Sequence, residues 1–131
     1  MAKFSKRSLD RLSTCHSDLI RLMNEVIKGR DCTILCGHRN KEDQEEAYKK
    51  GVSRLRFPLS KHNSLPSLAV DVVPSPLPDW NDIPAFQEFV EYVRLVAKDL
   101  QIEVVFGGDW KRLRDYPHIE LKVKRDKESQ V

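Results

Sequence analysis

The run Leu68-Ala69-Val70-Asp71-Val72-Val73, closed off by Pro74, Pro76 and Pro78, constrains the fold more than any other stretch of this chain. Its apolar, largely β-branched residues suit a pleated strand, and prolines at alternate positions cannot continue a hydrogen-bonded ladder. Asp71 shares a face with Ala69 and Val73 and projects away from Val70 and Val72. A carboxylate in that place is costly to bury unless it is paired or bound to a metal. The alternative is a half-exposed strand with Asp71 in solvent, and the strand taken alone allows both.

The rest of the chain alternates short strands with helices. A first helix is expected from Ser8, a good N-cap type, to about Lys28, within an N-terminal segment 1–29 closed by Gly29. Leu9, Leu12, Leu19, Leu22, Met23 and Val26 recur along it at helical spacing. Cys32–Cys36 reads as a strand. Asn40 then caps a second helix with Glu42, Asp43 and Glu45 in its first turns, and Gly51 ends it. Residues 52–68 form a long connection, of a length that is often functional. A third helix covers about Ile83 to Leu100, with Phe86, Val90, Val93 and Ala97 on one stripe. Glu103–Phe106 reads as a strand and Gly107-Gly108-Asp109 as a turn. In His118–Val123 Ile119, Leu121 and Val123 alternate with His118 and Glu120. The tail 124–131 is polar and expected to fray. These elements imply one α+β domain over 1–131 with about three helices.

With 131 residues the chain suffices for one core. Its net charge of +3 comes from Lys and Arg interleaved with Asp and Glu, the pattern of a solvated surface. No basic–aromatic patch accompanies it, which sets nucleic acid aside as a partner. No stretch approaches the roughly 18 apolar residues of a membrane span. The basic cluster Lys3–Arg7 is not followed by an apolar segment, so no signal peptide is expected and the protein is expected to stay in the cytoplasm until released. Cys15, Cys32 and Cys36 are odd in number and read as free thiols.

Two histidines and two carboxylates bear chemistry. Ser60-Lys61-His62 ends in a histidine at the close of the long connection, and Asp71 follows in the strand. Asp115-Tyr116-Pro117-His118 places a carboxylate three residues before a histidine that opens the last strand. Three ligands of this kind leave a fourth zinc position open for water, and a carboxylate outside the ligand set can serve as general base. Taken singly each has an ordinary reading: Asp115 as a turn residue, His118 as a strand histidine, Asp71 as a solvated side chain. Spacing alone does not bring the three segments together.

The combination resembles the D-Ala-D-Ala carboxypeptidase/L-alanyl-D-glutamate peptidase family of zinc enzymes, in particular its short phage-endolysin branch. The resemblance rests on Ser60-Lys61-His62, Ala69-Val70-Asp71, Gly107-Gly108-Asp109-Trp110 and Asp115-Tyr116-Pro117-His118. Cys36-Gly37-His38-Arg39 with Gln44 stands where members carry a Ser-Gly-Tyr-Arg-like segment. It covers roughly residues 30–122. Cys36 and His38 replace the usual Ser and Tyr, and the gap from His62 to Asp71 is longer than in many members. The resemblance implies a Hedgehog/D-Ala-D-Ala peptidase-like fold, a small antiparallel sheet packed with about three helices, and one zinc ion per chain carried by that sheet on His62, Asp71 and His118. It further implies Asp115 as the base, Arg39 as the oxyanion partner, and Ser60, Gln44 and Trp110 at the substrate. The implied activity is cleavage of the L-Ala–D-Glu bond of the peptidoglycan stem peptide by a monomeric endolysin released through a holin. A D-Ala-D-Ala carboxypeptidase or dipeptidase, and a non-catalytic wall-binding or virion domain, are the alternatives. Glu120 could support His118 or be merely exposed, and His38 could line the site or cap a helix.

Overall fold

The computed structural model describes residues 2–112 and 114–122, so Val123 and the tail 124–131 lie outside the described residues. In chain order the elements are α1 (Lys6–Leu12), α2 (Ser17–Gly29), β1 (Cys32–Cys36), α3 (Lys41–Lys49), β2 (Ala69–Pro74), α4 (Ile83–Leu100), β3 (Val104–Phe106) and β4 (His118–Leu121). The strands form one antiparallel sheet in the order β1-β2-β4-β3. The α+β architecture and its small antiparallel sheet are as the sequence implied.

The expected single helix over Ser8–Lys28 is instead two. Ser5, not Ser8, caps α1 by accepting from the Ser8 amide at 3.1 Å. Ser8 is buried, and its hydroxyl accepts from the Ile34 amide at 3.1 Å. The chain leaves the helix at Ser13 because Thr14 and His16 pair with Ser67: the Ser67 amide donates to Thr14 O, and the His16 amide to Ser67 O, at 2.8 Å each. His16 Nδ1 then accepts from the Asp18 amide at 3.0 Å and starts α2. Helical spacing of leucines on both sides concealed this break.

Ile34, Val70, Val72, Ile119 and Leu121 project from one face of the sheet into the core, where Leu12, Leu19, Leu22, Met23, Val26, Phe89 and Val93 meet them from α1, α2 and α4. Alternation therefore sends Asp71, His118 and Glu120 to the other face. In register Asp71 lies opposite His118, and Ala69 opposite Glu120. An irregularity between Ile34 and Cys36 keeps Ile34 in the core while bringing Cys36 opposite Asp71. Among the described residues no helix is long and apolar enough to cross a membrane.

Candidate active site

Three segments deliver side chains to the face opposite the core. Asp71 comes from the centre of β2 and His118 from the start of β4. His62 sits in a 3-10 turn, Lys61–Asn63, whose N-cap Ser60 accepts from the His62 amide at 3.2 Å. Asn63 locks that turn by accepting from the Ser60 amide and donating to Arg39 O, at 3.0 Å each. Gly37 lets the chain pass: a Cβ there would collide with Arg11 O and Thr14 Oγ1. Gly107 does likewise beneath Asp115, whose carbonyl a Cβ would strike.

His62 Nε2 and His118 Nδ1 each lie 3.3 Å from the same oxygen, Asp71 Oδ1. His62 Nε2 and Asp71 Oδ1 are buried and make no aligned hydrogen bond, an arrangement expected of donors facing a common third point. The other ring nitrogens are taken. His62 Nδ1 donates to Gly37 O at 2.7 Å, and His118 Nε2 to Glu120 Oε1 at 2.8 Å. Those bonds leave the nitrogens that face Asp71 as the ones to give up a proton and take a metal. Zinc bonds of about 2.0–2.1 Å in a tetrahedron set ligand atoms about 3.3–3.4 Å apart, the separation each imidazole nitrogen keeps from Asp71 Oδ1, so these residues could hold a metal ion of that size.

The electrostatics agree. Burial works against charge on all three groups. At Asp71 the adjoining His118 and His62 outweigh it and hold the carboxyl well below the usual range. The Asp71 carboxylate in turn raises His62 to about 10 and His118 to about 9. Asp115 shifts the other way, pushed up by burial and by the negative charge of Asp71. Two groups of side chains could hold a metal: Asp71, Asp115 and His118, and Cys36, His62 and Asp71. The His62 nitrogen nearest Cys36 Sγ, 3.8 Å away, is the one bonded to Gly37 O, which favours Cys36 as a neighbour over a ligand.

The other sequence candidates separate. Arg39 is mostly buried; its Nη1 donates to Gln44 Oε1 at 3.0 Å and its Nη2 lies 3.8 Å from Asp71 Oδ2. Among the described residues it forms no ion pair with α3. Gln44, implied as a substrate contact, is fully buried and away from the groove. Its Nε2 donates to Ser53 Oγ and Leu55 O, so all of its amide is spent on holding the fold around Arg39. Ser60 and Trp110 both line the groove. The Trp110 ring centroid stands 5.1 Å from that of His118. His38 bonds Ser64 O and is not part of the groove lining. Cys15 and Cys32 are buried thiols, pushed up to about 12 by that burial.

Glu120 and Lys61 complete the site in a way the spacing did not reveal. Glu120 accepts from His118 and, at 2.8 Å, faces Lys61 Nζ, which also donates to Leu121 O at 3.0 Å. The lysine next to one candidate ligand thereby braces the carboxylate behind another. The only advance signal was that Glu120 shares a strand face with His118. The groove over these groups measures about 1100 Å³ and is walled by Leu55, Leu59, Trp80, Ile83, Phe86 and Tyr116 beside the charged centre.

The family model described as phage L-alanyl-D-glutamate peptidase matches residues 1–126. The chain belongs to that family. The L-alanyl-D-glutamate peptidase of Escherichia phage T5 is 32% identical, over 92% of this chain and 89% of that protein. The peptidoglycan L-alanyl-D-glutamate endopeptidase CwlK of Bacillus subtilis (strain 168) is 34% identical over 72% of this chain and 62% of its own length. Among solved structures, that of the Serratia marcescens L-Ala D-Glu endopeptidase ChiX superimposes with a TM-score of 0.75 and 30% identity, covering 92% of this chain and 90% of that one. The shared fold confirms the family resemblance read from the motifs.

Proposed function

We propose that the protein is a zinc-dependent peptidoglycan peptidase, a phage or prophage endolysin that hydrolyses the L-Ala–D-Glu bond of the stem peptide, with the chain acting as one catalytic domain. The observation that carries this reading is the convergence of His62 Nε2 and His118 Nδ1 on Asp71 Oδ1, 3.3 Å from each, inside a groove. Membership of the L-alanyl-D-glutamate peptidase family supplies the bond.

His62, Asp71 and His118 would hold the ion. Bound zinc supplies Lewis acidity toward a carbonyl oxygen and acidifies water at neutral pH. Asp115 stands at the same centre with a carboxyl of raised proton affinity, which suits it to take a proton from the attacking water and deliver it to the leaving amine. The Arg39 guanidinium, held by Gln44, is placed to meet the negative charge that develops on the carbonyl oxygen. Trp110 forms part of the wall over His118, and Ser60 acts through the turn that carries His62. In the cell the enzyme would work as a monomer, held in the host cytoplasm until a holin opens the membrane to the wall.

Mass spectrometry of fragments released from purified peptidoglycan tests the reading. The zinc-loaded protein is expected to create new L-Ala and D-Glu ends, and a chelator to abolish them. Loss of terminal D-Ala alone would make it a carboxypeptidase, and no cleavage by zinc-bound protein would leave a wall-binding role.

A further inference from the structure

We propose that Arg112 and Arg114 form a clamp for the free carboxylate of the substrate's glutamyl residue, making the enzyme selective for that acid over its amide. The inference rests on the L-alanyl-D-glutamate reading of the site. A glutamyl residue acylated on nitrogen by alanine has two carboxyl groups, and continuing the peptide through one leaves the other free or amidated. Its nitrogen is the leaving amine. The second carboxyl is therefore only a few bonds from the atom that Asp115 would protonate, so its partner is expected among the side chains next to Asp115.

Arg112 and Arg114 are the cations of the segment before Asp115 that line the groove, and both are exposed. Neither takes part in an ion pair among the described residues. The acids that line the groove are Asp71, Asp115 and Glu120. Asp71 faces the two histidines and Glu120 is engaged by His118 and Lys61. Of the other lining cations, Arg39 is held by Gln44 and Lys61 by Glu120, and Arg54 stands on the loop after α3. Arg114 is also partly ordered in advance: its Nε donates to Trp110 O at 3.0 Å. That bond steadies the guanidinium while its two terminal amino groups remain as parallel donors for a carboxylate.

Two stem peptides that differ only in this group, one with the glutamyl carboxylate free and one with its amide, test the clamp with the zinc-loaded enzyme. The wild type is expected to favour the acid about tenfold in kcat/KM, mainly through KM. R112Q/R114Q is expected to fold, because both positions are exposed, and to bring the two rates together; Arg114→Lys keeps part of the preference. Equal rates on the two peptides with wild type, or a preference that survives R112Q/R114Q, overturns the clamp while leaving the peptidase reading intact. Cleavage of neither peptide overturns the peptidase reading and the clamp with it.

Discussion

Asp71 is where burial and charge compete most directly. Burial disfavours its carboxylate, and two imidazoles hold it ionised. The same contacts keep His62 and His118 protonated to about 10 and about 9 in the metal-free protein. A cation can bind these nitrogens only after their protons leave. Zinc affinity should therefore climb with pH between about pH 6 and pH 9, and binding near neutrality should release a proton from each imidazole. Calorimetry in buffers of different ionisation enthalpy reads that release directly, and an enthalpy independent of buffer would contradict it. In the proposed mechanism Asp115 serves the reaction and is not among the ligands of the ion. Asp115→Asn is expected to keep stoichiometric zinc and a native melting curve while kcat falls about 10²- to 10⁴-fold. Full activity in that variant would remove Asp115 as the base.

At the level of elements, the sequence was most readable where local rules decide the outcome. Asn40 caps α3, and its side chain accepts from the Asp43 amide at 2.8 Å. Ile83–Leu100 is helical as its apolar stripe implies, with Phe86, Val90, Val93 and Ala97 buried. The break between α1 and α2 was not readable, because its cause is Ser67, more than fifty residues away in sequence. Gln44 was misplaced for a related reason. The family resemblance implied a place for it at the substrate, but only the fold shows its amide turned toward Ser53, Leu55, Asn63 and Arg39. Gln44→Ala empties a fully buried site and removes its bonds to half-buried Arg39, Ser53 and Asn63 and to exposed Leu55, at a total cost of on the order of 1–3 kcal/mol. Thermal unfolding should show that loss, and kcat should fall as Arg39 is freed. A variant with wild-type stability and turnover would contradict the role given to Gln44.

Over the whole molecule the sheet divides labour between its faces. Ile34, Val70, Val72 and Ile119 bind the helices on one side, while Asp71, His118 and Glu120 face the groove on the other. That division follows from period-two alternation around Asp71 and was legible in the sequence. The meeting of His62 with β2 and β4 was not, since it depends on how the 52–68 connection returns to the sheet. A core built apart from the site should survive loss of metal. Chelation is expected to lower Tm by on the order of 10 °C while unfolding stays cooperative; collapse to an unfolded chain would mean that zinc is structural.

Anomalous diffraction at the zinc edge from zinc-soaked crystals locates the ion among the side chains that could hold it. One peak is expected within bonding distance of His62 Nε2, the Asp71 carboxylate and His118 Nδ1, with Asp115 and Cys36 unbonded to it. A peak bonded to Cys36, or one that omits any of those three side chains, would contradict the account.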